Sequence, residues 1–195
     1  MPVWTGCGDD DASSSSTAAD AGDVCAVAPA PAITSATCNV KVVLPLIQAH
    51  ASQHVPEGTN VTYCTNPPSS GPHYPVWAAF QTYTSEVPKS YLVHDLEHGA
   101  VELFYKCDAT DDCAAIIAAL EAIKDAQPQD PLCAPYNVKS RVILAPNSAI
   151  PTKIAAAAWG AVYTADCVDA PTLSTFVTDH YGKGPELLCA PGKVF

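Results

Sequence analysis

The sequence predicts an α+β fold: a single disulfide-stapled domain with helices packed on a small β-sheet and a proline-rich loop beside them. Three observations carry this. Short β-branched runs stop at prolines. Two stretches repeat apolar residues at helical spacing behind an aspartate. Cysteines are spread along the chain with no C-x-x-C pair, as in a disulfide framework rather than a zinc ribbon.

Val40 to Leu44 is a β-branched run ended by Pro45, so it reads as a strand. Asn66 to Pro75 holds four prolines, which fix φ and remove donors; it reads as a stiff loop. Ala100 to Tyr105 reads as a strand. Asp111 or Asp112 then caps a helix from Cys113 to about Ala126, with Ile116, Ile117, Leu120 and Ile123 on one face. Arg141 to Ala145 is a strand stopped by Pro146. Ile154 to Tyr163 is ambiguous, because its alanines favour helix while Ala161 to Thr164 favours strand. Asp169 and Pro171 open a last helix carrying Leu173, Phe176 and Val177, closed at Gly182.

Charge limits the partners. Nine Lys+Arg face 20 Asp+Glu in 195 residues, a formal net charge of −11. With no basic cluster, nucleic-acid binding is excluded. No apolar run approaches the roughly 18 residues of a membrane span. Residues 1–34 are rich in Ser, Ala, Asp and Pro and almost free of bulky side chains, which marks a flexible tether ahead of a globular domain at 35–195.

Nine cysteines imply an oxidising compartment, and nine is odd. Cys7 accounts for the remainder. Gly6-Cys7 followed by Gly8-Asp9-Asp10-Asp11 and Ser13 to Thr17 resembles the end of a bacterial lipoprotein signal, which makes Cys7 a lipid site and the only expected membrane contact. Eight cysteines remain for four bridges: Cys25, Cys38, Cys64, Cys107, Cys113, Cys133, Cys167 and Cys189. Local bridges are expected for Cys107 with Cys113 and for Cys25 with Cys38; the other pairings stay open. The expected location is extracytoplasmic, in the periplasm or on the cell surface of a bacterium.

Four of six histidines cluster in sequence: His54, His73, His94 and His98. His94-Asp95-Leu96-Glu97-His98 reads H-x-x-E-H, an inverted zinc-protease pattern. On a helix both imidazoles share a face with Glu97 beside them; on a strand they share a face and Glu97 points away. His73 sits in the rigid loop and His54 before a turn. Converging imidazoles suit Zn(II), Cu(II), Ni(II) or Fe, and acid near pH 5 to 6 releases such a metal from ordinary histidines. A zincin would also need a downstream acid, for which Glu102, Glu121 and Glu186 are available. His50 reads as a surface turn residue, and His180 as a carbonyl cap in the last turn of its helix.

Several segments together resemble a bacterial family of unknown function, DUF3105. They are His54-Val55-Pro56-Glu57-Gly58-Thr59, Asn66 to Pro75, Leu92 to Gly99, Ala158-Trp159-Gly160 and Gly182-Lys183-Gly184-Pro185-Glu186. The resemblance implies that His54, His73, His94, Glu97 and His98 are characteristic positions, and that the cysteines are this chain's addition. It strengthens the metal expectation, with His54, His73, His94 and His98 as ligands of a copper or zinc ion. Glu97 is then a further ligand, a carboxylate orienting a histidine, or a catalytic base; Tyr74 and Asp95 are candidates for the surrounding shell.

Three readings follow. The first is a lipid-anchored metal-binding protein for storage, transport or sensing of copper or zinc. The second is a metalloenzyme, a zinc hydrolase using Glu97 or a copper/iron redox enzyme. The third is a structural or interaction module whose histidines tie the loop to the domain without metal.

Overall fold

A computed structural model describes residues 25–28, 30–31 and 33–195. Its strands are β1 (Val27–Ala28), β2 (Val40–Pro45), β3 (Val101–Tyr105), β4 (Val142–Pro146), β5 (Ile154–Ala158) and β6 (Ala161–Ala165). Its helices are α1 (Lys89–Glu97), α2 (Cys113–Asp125) and α3 (Ala170–His180). The strands form one mixed sheet in the order β1-β2-β6-β5-β3-β4. Among the described strands only β3 and β4 pair in parallel, with Val101 opposite Val142. A parallel pair needs a long crossover, and α2 supplies it.

The sheet is covered on both faces, and alternation along β3 shows how. Val101, Leu103 and Tyr105 share a core with Leu120 and Ile123 of α2 and with Leu173 and Phe176 of α3. Phe104 points the other way, to a core with Leu92 and Leu96 of α1. Residues 46–88 form no helix and no strand longer than an isolated bridge, and they share the α1 side of the sheet.

Local chemistry explains most boundaries. The Asp112 carboxylate accepts from Ala115 N–H at 3.1 Å and opens α2. Asp169 accepts from Thr172 N–H at 3.0 Å and opens α3, with proline in its first turn. The ambiguous stretch resolves as the β5–β6 hairpin. Its alanines are buried on both faces, Ala155 and Ala157 towards α1, Ala156 and Ala158 towards α3. Pairing with β3 and β6 overrides alanine's helical preference in a strand where both covering layers leave little room.

Four disulfides tie this frame: Cys25–Cys64, Cys38–Cys167, Cys107–Cys113 and Cys133–Cys189. The local Cys107–Cys113 bridge is the expected one. The expected Cys25–Cys38 bridge is corrected, because Cys38 reaches across 129 residues to the end of β6, at a Cα–Cα distance of 5.5 Å. Cys25 instead ties the chain ahead of β1 to the segment before the proline-rich stretch. Cys7 and most of the expected tether lie outside the described residues. No helix among the described residues is long and apolar enough to cross a membrane.

Candidate metal centre

H-x-x-E-H lies on a helix. His94 and Glu97 belong to the last turn of α1, and His98 is its C-cap. Gly99 follows at φ 79°, a left-handed conformation that ends the helix. Every residue of α1 from Ser90 to Glu97 is buried, so the helix has no polar stripe and no amphipathic signal.

Irregular chain brings the other histidines in. His54 and His73 form a parallel bridge, in which Val55 N–H donates to the His73 carbonyl at 2.8 Å and His73 N–H to the Gln53 carbonyl at 3.1 Å. Their rings lie 5.1 Å apart, and the His94 ring is 4.8 Å from His54 and 4.7 Å from His73. One ligand atom from each of His54, His73, His94 and Glu97 lies within 4.8 Å of all the others. Four donors bound tetrahedrally at about 2.0–2.1 Å are about 3.4 Å apart, so closing this set on an ion takes side-chain movements on the order of 1 Å.

Backbone carbonyls set the tautomers. His94 Nδ1–H donates to the Tyr74 carbonyl at 2.7 Å and His73 Nδ1–H to the Gly71 carbonyl at 2.9 Å. A carbonyl only accepts, so these Nδ1 atoms carry protons and each Nε2 is left for the centre. His73 Nε2 then faces Glu97 Oε2 at 3.0 Å, with both side chains buried. A lone pair and a carboxylate at that distance require a proton or a cation between them. His54 is exposed and forms the solvent side.

His98 is placed differently. Its ring packs 4.5 Å from that of His94 and 4.8 Å from that of Trp77, but it is not one of the four converging groups. Its Nε2 lies 3.6 Å from Glu186 Oε2, and its buried Nδ1 has no hydrogen-bond partner among the described residues. Burial, reinforced by the neighbouring histidines His98 and His73, pushes the pKa of His94 down to about 3. Burial likewise lowers that of His98 to about 4, against the attraction of Glu97.

Asp95 and Glu102 are not among the converging groups. Asp95 turns into the core, where one carboxylate oxygen accepts from Ala78 N–H at 3.0 Å and the other has no partner. Glu102 is fully buried on the α1 face of β3, with neither oxygen partnered. Burial holds both acids well above the usual carboxyl range, and the Glu102 charge raises Asp95 further. Glu121 sits on α2, across the sheet. Tyr74 contributes through its carbonyl, while its hydroxyl donates to the Thr59 carbonyl at 3.0 Å. His50 is exposed in a turn, and His180 packs on Phe176 in the last turn of α3 with a ring separation of 4.6 Å. The Gly71 and Tyr74 carbonyls and the Trp77 wall had no signal in the sequence, since backbone acceptors are invisible there.

The segments that set the family resemblance meet around α1. Gly160 N–H donates to the Ser69 carbonyl at 2.9 Å, joining Ala158-Trp159-Gly160 to the proline-rich stretch. Glu57 binds the Tyr91 hydroxyl and, at 2.9 Å, the Lys193 ammonium. Glu186 N–H donates to the Glu97 carbonyl at 3.0 Å, and a Cβ on Gly184 would lie 2.2 Å from the same oxygen. A family model described as "Protein of unknown function (DUF3105)" matches residues 54–191, the span that holds every one of these contacts but Lys193.

The chain belongs to the DUF3105 family. Of the four bridges, Cys25–Cys64 and Cys38–Cys167 each have one cysteine ahead of the residues this DUF3105 match covers. No curated protein and no solved structure matches the chain.

Proposed function

We propose that this DUF3105 protein is an extracytoplasmic, lipid-anchored metal-binding protein that holds copper or zinc for storage, transport or sensing. Its ligands are His54, His73, His94 and Glu97, with Glu97 taking the place that the sequence reading gave to His98. The observation that carries the reading is the convergence of three imidazoles and a carboxylate within 4.8 Å, two of the imidazoles held by carbonyls with Nε2 inward. Imidazole-rich sets of this kind suit Zn(II) and Cu(II) over Mg(II) or Ca(II). The location rests on the four disulfides, which persist in oxidising compartments, and the anchor on Gly6-Cys7 and the acidic, serine-rich stretch behind it.

The test is metal analysis of protein purified without added metal, then loaded with Zn(II) or Cu(II) and dialysed. The wild type is expected to retain a single ion, and His94→Ala to lose it. A wild-type chain that retains neither metal sinks the reading.

One observation favours a metalloenzyme as the second reading. His54 is exposed while its partners are buried, which leaves the solvent side of an ion open to an exchangeable ligand. Water exchange at the Co(II)-loaded site, followed by relaxation, tests it; a coordinatively closed ion rules it out.

A further inference from the structure

His98 is 1% exposed; its carbonyl accepts from the Arg141 guanidinium, but its ring Nδ1 has no hydrogen-bond partner among the described residues. Its Nε2 stands 3.6 Å from Glu186 Oε2, beyond hydrogen-bond reach. That spacing matches two donors on one ion: bonds of about 2.1 Å subtend about 118° across it. The pair also joins inside to outside. The His98 ring touches that of His94, 4.5 Å away, while the Glu186 side chain is 61% exposed.

Glu186 is held at this place by the backbone. Gly182 N–H donates to the Gly99 carbonyl at 2.9 Å and Glu186 N–H to the Glu97 carbonyl at 3.0 Å. Gly184 packs where a side chain has no room, its Cβ position lying 2.4 Å from Gly99 N and 2.6 Å from the Leu96 carbonyl. An exposed glutamate fixed to the end of the site helix by a close-packed glycine is a placed group. Trp77 walls both His94 and His98, with ring separations of 5.2 and 4.8 Å.

We propose that His98 and Glu186 form an outer cation position through which a divalent first-row metal ion passes to and from the inner site. The ion exchanges two waters for His98 Nε2 and a Glu186 oxygen, then exchanges these for His94 Nε2 and the inner ligands. Coordination through Nε2 leaves the His98 ring proton on Nδ1 in the ion-bound step, and the waters displaced return to solvent. This rests on the metal-binding reading and adds a route to it.

The experiment follows Zn(II) uptake and its transfer to a chromogenic chelator by stopped flow, in wild type, Glu186→Gln and Asp179→Asn. Asp179 is exposed on α3 and controls for loss of one negative charge. Removing a steering carboxylate is expected to slow uptake and release together by about tenfold in Glu186→Gln, with affinity unchanged. Asp179→Asn should match the wild type. Unchanged rates in Glu186→Gln overturn the route and leave the inner site standing. Faster release with weaker affinity makes Glu186 an ordinary ligand and also overturns it, as does equal slowing in Asp179→Asn. Failure of the wild type to bind zinc or copper removes the metal-binding reading itself.

Discussion

His73 Nε2 and Glu97 Oε2 stand 3.0 Å apart, with their side chains 0% and 3% exposed. Since the Gly71 carbonyl claims the other ring nitrogen, this pair is stable only with something positive between its atoms.

Glu97→Gln keeps the shape and removes the charge. A neutral amide is a poor ligand, so zinc or copper affinity is expected to fall by about 100-fold, the upper end of what loss of even an outer carboxylate costs. Competition against a chelator of known affinity measures it. An affinity within threefold of wild type contradicts a ligand role for Glu97.

Acid acts on the metal-free protein through its buried histidines. Their ordinary value is 6.5, and burial lowers His94 to about 3 and His98 to about 4. Between those values the unfolded chain binds protons that the folded chain refuses, so this contribution is complete above 6.5 and is lost as pH falls. His98→Gln is therefore expected to lose less stability than wild type between about pH 7 and about pH 4. Equal losses in urea titrations contradict this. Metal release, expected near pH 5 to 6 from ordinary imidazoles, moves lower for the same reason.

Glu102 carries the opposite sign. Its folded pKa is raised, so its contribution is complete below the ordinary value of 4.5 and is lost as pH rises. Glu102→Gln is expected to stabilise the protein by about 1–3 kcal/mol near neutral pH, with the gain shrinking towards pH 4. Destabilisation at neutral pH would show that a partner holds the charge.

The bridges differ in worth. Chain-entropy arguments give about 2 kcal/mol for closing the 6-residue Cys107–Cys113 separation and about 5 kcal/mol for the 129-residue Cys38–Cys167 separation. Paired cysteine-to-alanine variants, unfolded in urea, should follow that order; a reversed order rejects the entropic account.

Where local chemistry decides structure, the sequence is legible. β2, β3, β4, α2 and α3 lie within a residue or two of their expected ends, because prolines, aspartate caps and helical spacing act on neighbours. The β5–β6 hairpin was not legible, because its strand state comes from pairing with β3 and β2. The choice of helix for H-x-x-E-H was hidden for a related reason: α1 is buried all round and shows no period. His54, His73 and His94 could be picked from residue type and resemblance. That Glu97 converges with them while His98 stands aside could not, since it depends on where the last turn ends. Glu186 belongs to a segment of the family resemblance, but its place beside His98 follows from Gly184 pressing against the carbonyl of Glu97, which the sequence does not show.

All eight cysteines among the described residues are consumed in bridges, and the only methionine is residue 1. Within the described fold the available donors are therefore nitrogen and oxygen, which favour Cu(II) and Zn(II) and hold Cu(I) poorly. Oxidation of the chain would thus also filter which ion the proposed site takes. The same protein in a reducing compartment would present eight soft thiols that outcompete the histidines, so in the proposed reading the disulfides serve selectivity by removing rival ligands.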